Sequence, residues 1–220
     1  MKKILLSILL LLTACGAPAS NQPTATPTVI KVYATAATQS WQTAMFKCAG
    51  QQSVVLTLSD PGSADVTLRM GEPQNLSMPA FQLGYEEVLV VVNKSHSFQQ
   101  LRTEQVTELF TGAITDWSQI TPTETGIVQV WVFPEGEDAQ QVFATTLAGK
   151  PVISNARLAA SPEEMSRAIA NDPNAIGILS RRWKTENLKD VYVAASAPIL
   201  AITPAEPQGM LKNLLACLQG

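Results

Sequence analysis

A run of five apolar residues, Val88 to Val92, limits the folds open to this chain more than any other stretch. Four of the five are valine, a residue that is restricted in helices and well suited to a pleated strand. The run is continuous rather than alternating, and it is too short for a typical helix. It therefore predicts a strand buried on both faces, within a sheet that carries helices on both sides.

A short helix is predicted soon after this strand. Thr103 can cap its start, and Gly112 stands where helices commonly end in the left-handed conformation. Three apolar side chains share one face of this helix: Val106, Leu109 and Phe110. Trp117 follows the helix and is predicted to fill the space beneath it.

The order of the other elements favours a parallel arrangement. A strand at Val29–Tyr33, a helix at Gln39–Ala49 and a strand at Val54–Leu58 predict a βαβ unit. Ser161-Pro162-Glu163-Glu164 predicts a helix start, since serine can cap, proline suits the first helical position and Glu164 can complete a capping box.

Two segments resemble the substrate-binding proteins of phosphate ABC transporters. The first is Leu101-Arg102-Thr103-Glu104-Gln105-Val106 with Leu109-Phe110-Thr111-Gly112-Ala113-Ile114-Thr115-Asp116-Trp117, and the second is the strand Ala175-Ile176-Gly177-Ile178-Leu179-Ser180. The resemblance implies an α/β fold of the periplasmic-binding-protein-like type 2 class, with two lobes that are each a mostly parallel sheet flanked by helices. It further implies that residues 29–87 and 181–220 form lobe 1 and that residues 88–180 form lobe 2.

The start of the chain predicts export. Met1-Lys2-Lys3 is basic, Ile4 to Leu12 is apolar, and Leu12-Thr13-Ala14-Cys15 resembles a bacterial lipobox. We interpret residues 1–14 as a lipoprotein signal peptide and Cys15 as the lipidated residue; the alternative is an ordinary signal peptide with an incidental cysteine. Residues 15–28 are rich in proline and small polar residues, and this composition predicts a disordered tether.

About 190 residues remain after the tether, which is enough for one large domain or two small lobes. Loss of the signal peptide would remove two lysines and move the formal charge from −3 to −5. With no cluster of Lys and Arg, the sequence gives no support for nucleic-acid binding.

Cys48 and Cys217 are the two cysteines left if Cys15 carries a lipid. An even pair in an oxidising compartment is typical of a disulfide, and the resemblance implies that both chain ends lie in one lobe. We favour a disulfide; the alternative is two separate buried thiols.

The segment that should bind an anion departs from the family pattern. By the resemblance, an arginine and a Ser-Gly-Thr turn precede a phenylalanine and grip the anion together with helix N-termini. Aligned on Phe143, this chain has Phe133 in place of the arginine, and Glu137, Asp138 and Ala139 in place of the turn. Two carboxylates would repel phosphate by roughly 1–4 kcal/mol per close like-charge pair. The acidic residues suit a helix N-terminus, so they would occupy from within the chain the place that an external anion takes elsewhere.

Four further residues are candidates for the ligand cleft. Thr35 and Thr38 follow the first strand and could contact a ligand or cap the helix at Gln39. Asp65 could accept a hydrogen bond from a ligand or from nearby backbone, and Arg69 is either a positive anchor for an anion or a solvated salt-bridge partner.

No catalytic residue, cofactor or metal site is predicted. The single histidine, His96, is expected in a solvent-facing turn, so neither a Ser-His-Asp triad nor a histidine metal site can be assembled. A cluster of acidic residues at 135–138 could hold Ca²⁺, but we interpret it as a solvated turn.

The sequence thus predicts a monomeric, lipid-anchored, extracytoplasmic solute-binding protein that docks on the membrane permease of an ABC transporter. Its small-molecule ligand could be an anion but is not expected to be free phosphate. The alternative is a degenerate binding scaffold that serves as a surface sensor or partner protein without transport, and an enzyme is the weakest hypothesis.

Overall fold

The computed structural model describes residues 27–219. The predicted signal peptide, Cys15 and nearly all of the predicted tether lie outside the described residues. The strands are β1 (Thr28–Ala34), β2 (Val54–Leu58), β3 (Val66–Met70), β4 (Ala80–Asn93), β5 (Gln129–Val132), β6 (Arg157–Leu158), β7 (Ala175–Ser180) and β8 (Leu188–Ile202). The helices are α1 (Gln39–Gly50), α2 (Thr103–Thr111), α3 (Asp138–Ala144), α4 (Pro162–Asn171) and α5 (Gly209–Gln219).

The eight strands form one sheet in the order β2-β1-β3-β8-β4-β7-β5-β6. At one end β1 runs parallel to β2 and β3, and at the other end β5 runs parallel to β6 and β7. In the middle β8 is antiparallel to β3 and β4, and β4 is antiparallel to β7. The predicted α/β class is therefore confirmed, with a mixed sheet that is parallel at its two ends.

The long strands β4 and β8 join the two ends of the sheet. The run Val88–Val92 lies within β4 and is fully buried, which confirms the prediction of a strand covered on both faces. The expected boundary between the lobes at residues 87 and 88 falls inside this continuous strand. The strand β8 is continuous over 15 residues and pairs with β4 along its whole length.

The helix α2 packs as the sequence predicts. Val106, Leu109, Phe110 and Trp117 are fully buried, and Gly112 ends the helix at a φ of 82°. The start of the helix differs from the prediction, because Arg102 is the N-cap and its backbone N–H donates to the side chain of Gln105. Thr103 instead shares a hydrogen bond with the hydroxyl of Tyr192 on β8. The start of α4 is confirmed, since the Ser161 hydroxyl accepts from the Glu164 N–H. The predicted capping box is not completed, because the Glu164 carboxylate accepts from the Ala160 N–H rather than from Ser161.

The first and last helices lie side by side and are covalently joined. Cys48 of α1 and Cys217 of α5 form a disulfide that links residues 169 positions apart in the sequence. The bond ties the C-terminal helix to the β1–β3 end of the sheet, so the two ends of the described chain lie in one part of the molecule.

The expectation that His96 faces solvent is wrong. The imidazole side chain is 2 % exposed, and its ring lies 4.5 Å from the Trp117 ring and 4.9 Å from the Phe98 ring, measured between centroids. Its Nδ1 lies 3.1 Å from Oε2 of Glu124, whereas its Nε2 is buried without a partner in the described chain. A serine-flanked turn suggested exposure, but the ring packs against the aromatic side chains of Phe98 and Trp117.

Candidate functional site

The candidate site lies at the edge of the sheet where β1 and β3 end. Parallel strands place their carboxyl ends at the same edge, and ligands of open α/β sheets commonly bind beyond that edge. Thr35 follows β1, while Arg69 and Met70 are the last two residues of β3. The start of α3 packs against these two strand ends.

Asp138, the first residue of α3, points its carboxylate into this edge. The side chain is 3 % exposed and accepts three hydrogen bonds from the strand ends. Its Oδ2 accepts from the Thr35 hydroxyl at 2.6 Å and from the backbone N–H of Met70 at 2.8 Å, and its Oδ1 accepts from Arg69 Nη2 at 3.0 Å. We call Thr35, Arg69 and the Met70 N–H the donor cluster. An ionised carboxylate that accepts from a guanidinium and two neutral donors is well satisfied even though it is buried.

Thr38 positions the donor cluster rather than the helix that follows it. Its hydroxyl is fully buried and lies 3.0 Å from the carbonyl oxygen of Leu68 and 3.2 Å from the hydroxyl of Thr35. The side chain makes no capping hydrogen bond to α1 in the described structure. The loop after β1 is therefore fastened to β3, and this orients Thr35 towards Asp138.

Arg69 is not a solvated surface residue. Its side chain is 19 % exposed, and Nη2 lies 3.4 Å from Oε1 of Gln141 in addition to its contact with Asp138. The Nε atom is buried and has no hydrogen-bond partner among residues 27–219. The guanidinium is thus held against α3 through Nη2, and its buried Nε–H is left without an acceptor in the described chain.

Asp65 lies apart from these residues. It precedes β3, at the end of the strand opposite to Arg69, and it is exposed. Its Oδ2 accepts from the backbone N–H of Lys31 at 2.8 Å, so of its two sequence-based interpretations the geometry matches the local backbone contact. The structure brings Thr35, Thr38, Arg69 and Asp138 together and leaves Asp65 outside the group.

Glu137 lies beside the donor cluster and lines a cavity of about 10 Å³, roughly the space of one water molecule. The cavity wall also includes Ala36, Phe133 and Ser180, and the Ser180 hydroxyl is buried without a partner in the described chain. Burial, and secondarily the charge of Asp138, raise the pKa of the Glu137 carboxyl above its usual range. The two neighbouring acidic residues therefore differ in their surroundings. The Asp138 carboxylate accepts hydrogen bonds from the donor cluster, whereas Glu137 lines a cavity with space for about one water molecule.

Sequence reasoning missed two members of the site. The Met70 N–H is a backbone donor, which no side-chain pattern reveals. Gln141 gave no signal either, because one glutamine on a helix is ordinary in any sequence. Residues 27–219 contain no group of three or more His, Cys, Asp or Glu side chains placed to hold a metal ion. They also contain no helix that is long and apolar enough to cross a membrane.

Comparison with known proteins places this geometry in context. A family model described as a PBP superfamily domain matches residues 7–213. No curated protein sequence matches the chain. Among solved structures, the chain is similar to a protein from Clostridium perfringens described as a phosphate ABC transporter substrate-binding protein with bound phosphate. That likeness has a TM-score of 0.78 and 12 % identity, and it covers 86 % of this chain and 92 % of the other.

Two further solved structures extend the comparison. An ABC-type phosphate transport receptor from Vibrio cholerae gives a TM-score of 0.67 at 15 % identity, over 88 % of this chain and 93 % of the other. The OxyR regulatory domain from Pseudomonas aeruginosa gives 0.62 at 11 % identity, over 88 % and 98 %. At these identities the likeness shows the fold, which is shared by transport receptors and by a regulatory domain.

Proposed function

This chain belongs to the PBP superfamily, and on that premise we propose that it is an extracytoplasmic solute-binding protein of an ABC-type uptake system. We further propose that a lipid on Cys15 anchors it to the bacterial membrane, that it is a monomer, and that it delivers its ligand to a membrane permease. The similarity to two phosphate-transport receptors supports the transport role. The lipobox-like Leu12-Thr13-Ala14-Cys15 supports the anchor.

The ligand is not free phosphate under this proposal. The supporting observation is the Asp138 carboxylate, which already takes the hydrogen bonds of Thr35, Arg69 and the Met70 N–H. A phosphate ion would have to displace Asp138 and then lie close to it and to Glu137. Repulsion of roughly 1–4 kcal/mol for each close like-charge pair would oppose that exchange.

A calorimetric titration of the mature protein with inorganic phosphate tests the ligand claim. We expect no binding heat at millimolar phosphate. Tight phosphate binding would overturn the claim. A separate thermal-shift screen of oxyanions, sugars and amino acids would identify the class of compound that stabilises the protein. Calorimetry would then measure the affinity of that compound.

One observation favours the alternative function, a binding scaffold that has become a surface sensor or partner protein. The cavity next to the donor cluster measures about 10 Å³, whereas small-molecule sites commonly enclose about 300–1,000 Å³. Two results together would favour this alternative: no stabilising compound in the screen, and no permease or ATPase genes beside the gene for this chain. A stabilising solute and an adjacent permease gene would favour transport.

A further inference from the structure

The donor cluster has more capacity for an oxyanion than Asp138 uses. Arg69 contacts the carboxylate through Nη2 alone, and its buried Nε has no partner in the described part of the chain. Guanidinium groups bind oxyanions best when two of their N–H groups engage together. An oxyanion that reached Nη2 and Nε of Arg69, the Thr35 hydroxyl and the Met70 N–H would make one more contact with the cluster than the Asp138 carboxylate makes.

We infer that the donor cluster is an oxyanion-binding site and that Asp138 is an autoinhibitory latch that closes it from within the chain. The inference rests on the proposed function and deepens it, because it names oxyanions as the ligand class admitted when the Asp138 carboxylate releases the donors. Asp138 is held on the same chain at a high effective concentration, so a free anion in solution competes poorly with it. A ligand that enters the wild-type site must therefore offer more contacts than one carboxylate.

The contacts around Asp138 fit the role of a latch. Beside Asp138, α3 touches the end of β3 through Val142, which packs over Gly71, and through the 3.4 Å contact between Gln141 and Arg69. Neither contact involves a pair of charges. The ion pair of Asp138 with Arg69 therefore supplies the charged attraction between α3 and the strand ends, and its loss frees the donors of the cluster at the same time.

Binding of simple anions to an Asp138→Ala variant tests the inference. The substitution removes the carboxylate and leaves the donor cluster intact, so acetate or inorganic phosphate should replace the missing group. We expect either anion, at tens of millimolar, to raise the melting temperature of the variant by several degrees and to leave the wild type unchanged. We also expect calorimetry to give phosphate affinity at least about tenfold tighter than that of the wild type.

Two matched controls define the site. Asp138→Ala combined with Arg69→Ala should lose the response to both anions, since the guanidinium is the charged donor. Asp138→Asn fills the same volume with a neutral group and should respond less than Asp138→Ala. A folded Asp138→Ala protein that binds neither anion better than the wild type would overturn the inference, and so would a response that survives the loss of Arg69.

Hydrogen exchange supplies a measurement that does not depend on anion binding. The Met70 amide donates to Asp138, whereas the neighbouring Gly71 amide donates to the carbonyl oxygen of Pro198 at 2.8 Å. In Asp138→Asn we expect exchange at Met70 to accelerate about tenfold relative to Gly71. Equal exchange ratios in variant and wild type would contradict the latch. The tests of the latch and of the transport role can fail separately. If the latch exists, Asp138→Ala gains anion binding even in a chain that serves no permease. If it does not exist, Asp138→Ala gains no anion binding even in a transport protein.

Discussion

The backbone N–H of Met70 donates to Oδ2 of Asp138 across 2.8 Å, although 68 residues separate them in the sequence. This bond joins the end of β3 to the start of α3. The same oxygen accepts from the Thr35 hydroxyl, and the other carboxylate oxygen accepts from Arg69. A buried acidic residue of a helix thus holds the edge of the sheet where a ligand would be expected.

Replacement of Asp138 by asparagine should destabilise the protein. The amide keeps the size of the carboxylate but removes the charge that pairs with Arg69, and its NH₂ group faces a donor. The Arg69 side chain is 19 % exposed, so water partly screens the guanidinium that would be left unpaired. We therefore expect a loss of about 2–3 kcal/mol in the free energy of unfolding. Urea denaturation measures the change. Asp65→Asn is the matched control: Asp65 is exposed, and the change should stay within about 0.5 kcal/mol. Equal losses in the two variants would refute this account of Asp138.

Gly112→Ala should be destabilising for two reasons. The φ of 82° disfavours any residue with a Cβ, and a Cβ built there would lie 2.4 Å from Cδ1 of Ile153. We expect a loss of about 2–4 kcal/mol in the free energy of unfolding, measured by urea denaturation. Gly149→Ala separates the two causes. Its φ is 78°, but a Cβ there meets no heavy atom of the described residues within 4 Å, so only about 1 kcal/mol should be lost. A Gly112→Ala protein no less stable than Gly149→Ala would exclude the steric contact with Ile153.

His96 should make stability depend on pH below neutrality. Burial lowers the pKa of the imidazole below 6.5, although the nearby Glu124 carboxylate opposes this shift. The folded protein therefore favours the neutral ring. The stability that the buried neutral ring contributes is complete above about pH 6.5, and it is lost as the pH falls towards the pKa of His96 in the folded protein. We expect the unfolding free energy of the wild type to fall between pH 7 and pH 5 relative to His96→Gln.

The neighbours of His96 define the range of that experiment. Hydrogen bonds from Ser97 lower the pKa of Glu124 below 4.5, so this carboxyl stays ionised above pH 5. Lys189 also lies close to the ring, since its Nζ donates to the carbonyl oxygens of His96 and Phe98. Because the chain has one histidine, its NMR titration in tag-free protein is unambiguous. A folded-state pKa of 6.5 or above would contradict the predicted direction.

The bond between Cys48 and Cys217 should be detectable and should stabilise the fold. Mass spectrometry of digested, unreduced protein is expected to find the two cysteine peptides joined. Because the bond closes a loop of 169 residues, its reduction should cost about 2–5 kcal/mol of unfolding free energy. Cys48→Ser with Cys217→Ser should show the same loss and no response to reductant. Complete alkylation of both thiols in the folded, unreduced protein would rule the bond out.

Cys15 should determine where the protein resides. We expect wild-type protein produced in bacteria to incorporate labelled fatty acid and to sediment with membranes, because the lipid holds the chain at the membrane surface. Cys15→Ser should lose the label and appear in the soluble exported fraction. An unlabelled wild type that is exported and soluble would favour the alternative, an ordinary signal peptide.

Local patterns determined those elements whose causes are local. The β-branched residues of Val88–Val92 predicted a buried strand, and the glycine at 112 predicted the end of a helix, and the structure has both. The cap formed by Ser161 involves only residues 161–164, so it could be predicted from the sequence in the same way. The resemblance to phosphate-binding proteins also led to a prediction: Glu137, Asp138 and Ala139 stand where the family has a Ser-Gly-Thr turn, so carboxylates were expected in the place of an anion.

The tertiary structure alone decided what those carboxylates touch. The sequence could not pair Asp138 with a backbone N–H 68 residues away, or show that Glu137 faces a nearly filled cavity, because the meeting of α3 with the ends of β1 and β3 depends on the order of strands in the whole sheet. For the same reason a serine-flanked turn could not reveal that His96 is buried against Trp117. Local steric preferences depend on a few neighbouring residues and can be predicted from the sequence. The partner of a buried charge depends on how distant elements pack, so only the tertiary structure reveals it.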